Sequence, residues 1–161
     1  MIIPIFRPAL AVCTAQRTSA AISALSVAVL ALLLAASPVD AGTATSPANA
    51  VLYIGWPTEG AVLPAGRPFR VWFGLRNMGV APKGVALPNT GHHHLLIDSA
   101  LPPMDQEIPS DRNHLHFGAG ETETTVELPP GRHTLQLLLG DDHHVPHNPP
   151  VVSKKVTINV R

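Results

Sequence analysis

The sequence is short of cysteine, of aromatic side chains and of charge. Cys13 is the only cysteine among 161 residues, which excludes an intrachain disulfide and a cysteine-built zinc or iron–sulfur site. Aromatic residues make up 4% and charged residues 14%. The few basic side chains are scattered, so there is no stripe for nucleic acid. Long helices are also disfavoured, because proline removes a backbone donor and occurs 17 times along the chain.

One apolar run stands out, from Ala20 to Ala36, preceded by Arg7 and Arg17 and followed by the small-residue exit Val39-Asp40-Ala41. A basic start, a short apolar centre and a small-x-small exit are the parts of a secretory signal peptide, read here as residues 1–41. Cys13 precedes the apolar centre, so it is misplaced for a lipid anchor and leaves with the leader. The expected location is periplasmic or secreted, with no membrane span after cleavage. From Gly42 onward nine Lys and Arg face ten Asp and Glu, close to neutral. About 120 residues can bury one modest core.

Residues 42–49 are small and polar and read as a flexible lead-in. From residue 50 to residue 161 short apolar runs alternate with Gly and Pro turns. Phe69, Val71, Phe73 and Leu75 share one face of a strand, as do Leu135, Leu137 and Leu139. The pattern predicts an all-β, immunoglobulin-like antiparallel β-sandwich of about seven strands. Its strands are centred near Val51 (A), Phe69 (B), His92 (C), His114 (D), Thr124 (E), His133 (F) and Val156 (G). Two connections, Asn77 to Thr90 and Asp98 to Asn113, are long for a compact domain and are candidate functional loops.

What the chain does have is histidine. All nine lie between His92 and His147, grouped as His92-His93-His94, His114-x-His116 and Asp141-Asp142-His143-His144-x-x-His147, with His133 apart. Imidazole is the commonest protein ligand for transition metals. In the expected sandwich every group except His133 falls at the pole formed by the B–C, D–E and F–G connections. Residues two apart on a strand share a face, so His92 with His94, and His114 with His116, form pairs roughly 7 Å apart. These pairs and the F–G loop could close on an ion with bonds of about 2 Å. The candidate ligands are His92, His94, His114, His116, His144 and His147, with Asp141 binding directly or orienting an imidazole. Nitrogen and oxygen donors without sulfur favour Cu(II) or Zn(II).

Structural roles compete with this reading. His133 opens a strand after Pro129-Pro130-Gly131-Arg132, where it can bond the preceding turn. Either His92 or His93 must face the core. Ser99, Ser110 and Ser153 lack the context of a nucleophile elbow. A non-catalytic module that binds a cell-envelope protein, with the histidines as a hydrogen-bonded network, is the alternative to metal binding; a metalloenzyme ranks third.

The motifs Gly79-Val80-Ala81-Pro82-Lys83-Gly84, Pro88-Asn89-Thr90-Gly91-His92-His93-His94-Leu95-Leu96-Ile97-Asp98, Asn113-His114-Leu115-His116-Phe117-Gly118 and Gly131-Arg132-His133-Thr134-Leu135-Gln136-Leu137-Leu138-Leu139-Gly140-Asp141 resemble the bacterial secreted domain-of-unknown-function family 4399. So does His144-Val145-Pro146-His147-Asn148-Pro149-Pro150. The resemblance covers nearly all of the chain after the leader. It implies a small exported domain and a histidine pattern, and supplies no reaction.

Overall fold

The computed structural model describes residues 44–161; the leader assignment lies outside them. Among the described residues the chain forms nine strands, some alternating in burial and some buried on both faces. They are β1 (Val51–Trp56), β2 (Val62–Leu63), β3 (Phe69–Arg76), β4 (Gly79–Val80), β5 (Thr90–Ile97), β6 (His114–Phe117), β7 (Glu123–Val126), β8 (Gly131–Gly140) and β9 (Val156–Val160). Seven have four residues or more, and β2 and β4 are two-residue pairings. The fold is an all-β, immunoglobulin-like sandwich. A three-stranded sheet, ordered β1-β3-β7, packs on a larger sheet ordered β2-β9-β8-β5-β4, with β6 also on β5. The long pairings are antiparallel, while β2–β9 and β4–β5 are parallel.

The core lies where the two inner faces meet. Leu52, Phe69, Val71, Phe73 and Val126 from the small sheet pack on Leu95, Ile97, Phe117, Leu135, Leu137, Leu139 and Ile158 from the large one. Unlike a sheet open to water, the large sheet is also covered on its outer face. Leu96 and Leu138 point away from the main core and pack under Ile108, Met104 and Val152. The long 98–113 connection is therefore a cover, and strands β5 and β8 are apolar or buried on both faces, as central covered strands must be.

The fourth main strand departs from the expected order. His114–Phe117 pairs with β5, not with the small sheet, in the register His94↔His116 and Leu96↔His114. Its four residues alternate equally well for either sheet, and the long preceding segment gives it the reach to stay beside β5. This switch sets His116 directly across from His94. Within residues 42–49, Ala44 and Ser46 hydrogen-bond Asn148, and Ala44 N–H reaches Asp141. Among the described residues no helix is long and apolar enough to cross a membrane.

Candidate metal centre

The two-residue period of β5 divides its three histidines. His93 faces the main core with Leu95 and Ile97, its ring 5.2 Å from that of Phe73. Its Nδ1–H donates to the Glu121 carbonyl at 3.1 Å. Burial holds its pKa down to about 4, so it is neutral. His92 and His94 turn to the outer face with Leu96, where His116 of β6 meets them.

The four rings of His92, His94, His116 and His144 pack against one another. His92 lies 4.9 Å from His94 and 5.0 Å from His116 between ring centres, and His94 stacks on His116 at 5.1 Å. His144 comes from the β8–β9 loop, 4.5 Å from His116, 5.0 Å from His92 and 5.9 Å from His94. One ligating atom from each of His92, His94 and His116 lies within 4.8 Å of the others, so these three could hold a metal ion. The centre sits on the outside of the large sheet, beneath the cover, not between the sheets.

Glycines make room for these rings. A Cβ on Gly118 would stand 2.4 Å from Cε1 of His116. One on Gly140, opposite His92 in the β5–β8 ladder, would meet Cε1 of His94 at 2.9 Å and the Ile108 side chain at 3.3 Å. Neither could be a larger residue without moving an imidazole. Together with Ile108 these glycines shape the centre, and sequence reading missed them. Their only sequence signal was a glycine two residues past His116 and another ending an apolar strand.

The electrostatics disfavour charge on His92, His94 and His144. Burial first, then the neighbouring His144 and His116, pushes the pKa of His92 down to about 4, against a partial pull from Asp141. Burial and then His92 and His116 take His94 to about 2. His144 is lowered as well, by burial, by His116 and by Lys83. At neutral pH these rings keep their lone pairs, the form that binds metal. Five buried nitrogens of the cluster have no hydrogen-bond partner among the described residues: both of His92, Nδ1 of His94 and Nε2 of His116 and His144. At about 1–3 kcal/mol for each buried unpaired group, five cost roughly as much as the whole stability of a typical domain. An ion or an ordered water bonded to these nitrogens would relieve that cost.

The other candidate ligands are placed elsewhere. His147 is buried over Gly91, and its Nε2–H donates to the Thr90 carbonyl at 2.9 Å, anchoring the base of the loop. His114 shares the outer face but lies beside Leu96, two residues further from the centre. Its Nδ1 meets Asp111 at 2.9 Å and its Nε2 meets Ser99 at 2.9 Å. That chain has the order of a catalytic triad. Ser99 Oγ also lies 3.1 Å from the Ala100 carbonyl, within hydrogen-bond reach. The chain ties the start of the cover to its end.

Asp141 does not reach the rings through its carboxylate. Its Oδ1 accepts the N–H groups of His143 and Val145, both at 2.9 Å, and its Oδ2 accepts Ala44 N–H. It acts on the centre by shaping the loop and through its charge. His143 is exposed, 3.5 Å from Asp142. His133 bonds the preceding turn, its Nε2–H donating to the Pro129 carbonyl at 2.9 Å while Nδ1–H donates to Asp98 at 2.6 Å.

No curated protein matches the chain. Among solved structures, one described as "Structures of Clostridium thermocellum CbhA fibronectin(III)-like modules" is similar with a TM-score of 0.41 and 9% identity. The match covers 69% of this chain and 45% of that one, so the chain spans less than half the length of that structure. The family model described as Domain of unknown function (DUF4399) matches residues 71–161, a stretch that holds all nine histidines, and the chain belongs to that family.

Proposed function

We propose that this is an exported transition-metal-binding domain that holds Zn(II) or Cu(II) through His92, His94 and His116. The observation that carries the reading is that three imidazoles each place a ligating atom within 4.8 Å of the others and each carry at least one buried nitrogen with no hydrogen-bond partner among the described residues. Tetrahedral Zn(II), with bonds of about 2.0–2.1 Å, needs its ligand nitrogens about 3.3 Å apart, so small ring rotations within the 4.8 Å cluster suffice. All-nitrogen ligation suits Zn(II) and Cu(II), whereas Cu(I) prefers sulfur. The three ligands sit on paired strands, which fixes their spacing before any ion arrives. Export follows from the leader-like residues 1–41.

Titrating the purified protein with Zn(II) and with Cu(II) tests the reading. One ion per chain is expected, with binding lost in the His92→Ala/His94→Ala double variant. Equal binding by that variant, or none by the unaltered protein, refutes it.

A further inference from the structure

The three sheet histidines leave a fourth coordination position, and the structure places one imidazole beside it. His144 lies edge-on to His92, His94 and His116, at 83°, 90° and 86°. Its Nε2 is buried and has no hydrogen-bond partner among the described residues. The imidazole has no evident structural task, because the loop is held by the backbone. His144 N–H donates to the Asp141 carbonyl at 3.0 Å, and the His144 carbonyl accepts Ile108 N–H at 2.8 Å. The residue also sits at φ 65°, the left-handed region that suits Gly or Asn better than histidine. A histidine held in an unfavourable backbone conformation, aimed at three others, points to a use for its side chain.

We propose that His144 supplies the fourth imidazole to the ion held by His92, His94 and His116, closing its coordination and locking the cover over it. The inference rests on the three-histidine reading above. Four protein ligands leave no position for a substrate or an activated water, so the loaded site carries or senses metal and does not catalyse. Because the His144 carbonyl holds Ile108, an ion bound by His144 also fixes the 98–113 cover. Metal occupancy is thereby transmitted from the sheet to the surface.

The test uses Zn(II), with Co(II) as a coloured stand-in, on the unaltered protein and on His144→Asn, which tolerates the same backbone conformation but lacks the ring. The unaltered protein should give the intense visible absorption of tetrahedral Co(II), unchanged by azide. His144→Asn should bind Zn(II) about 10- to 100-fold more weakly, with a weaker Co(II) spectrum that shifts when azide enters the open position. Zn(II) should slow amide exchange across residues 104–110 at least tenfold in the unaltered protein and not in the variant. An identical affinity, spectrum and exchange response in His144→Asn overturns the fourth ligand while leaving the three-histidine site standing. Absence of binding by the unaltered protein overturns both.

Discussion

Replacing His94 by leucine should make the metal-free protein more stable, not less. His94 is 1% exposed, lies across from Leu138 and next to Leu96 on the outer face, and its Nδ1 has no partner among the described residues. Leucine would remove that unpaired group, a gain of about 1–3 kcal/mol. Repacking against Gly140 and Ile108 would return up to about 1.5 kcal/mol. The expected net is about +1 kcal/mol, or about 3–5 °C in midpoint for a domain of this size. Thermal and urea unfolding in a chelator measures it. In excess Zn(II) the order should reverse, because only the unaltered protein gains binding energy. His133→Leu serves as the contrast: it breaks bonds to Asp98 and Pro129 and should cost about 2 kcal/mol with or without metal. A His94→Leu protein destabilised as much as His133→Leu would show that the cluster is a structural hydrogen-bond network, and the reasoning would fail.

Further outcomes follow from individual contacts. Gly118→Ala should weaken Zn(II) binding at least about tenfold, measured against a chromophoric chelator, because the new methyl displaces the His116 ring while the metal-free fold persists. The Asp98–His133 pair should give a window of stability with pH. Burial works against charging either group, but the hydrogen bond between them and their attraction raise the pKa of His133 and, with Thr134 N–H, lower that of Asp98. The contribution is complete between about pH 4 and 6.5. It fades as pH rises through the raised His133 value and as pH falls through the lowered Asp98 value. Asp98→Asn should flatten both limbs in pH-dependent unfolding. It should cost only about 1 kcal/mol at pH 6, since the carboxylate is 40% exposed and screened by solvent.

Local period was enough to read some of this from the sequence. The alternation of Phe69, Val71 and Phe73, and of Leu135, Leu137 and Leu139, marks strands whatever they pair with. The same rule puts His92 and His94 on one face. His133 after its turn was legible for the same local reason. What could not be read was pairing. The short His114–Phe117 strand fits either sheet, yet its choice of β5 decides that His116, and not His114, completes the trio. The loop was equally opaque. His144 and His147 are three residues apart and chemically identical, but Gly91 receives one ring and the cluster receives the other. Asp141 is adjacent in sequence to the loop histidines, which suggested a ligand or an orienting partner. A carboxylate at a turn binds the nearest backbone N–H groups first, and it does so here.

The central claim is that imidazoles of the outer-face cluster hold one transition-metal ion. X-ray absorption at the zinc or copper edge, on the full chain loaded with one equivalent and desalted, tests it most directly. The account predicts retained metal with at least three imidazole nitrogens at about 2.0 Å, reduced in the His92→Ala/His94→Ala protein. Metal lost on desalting, or a first shell built from water and carboxylate oxygens, would contradict it.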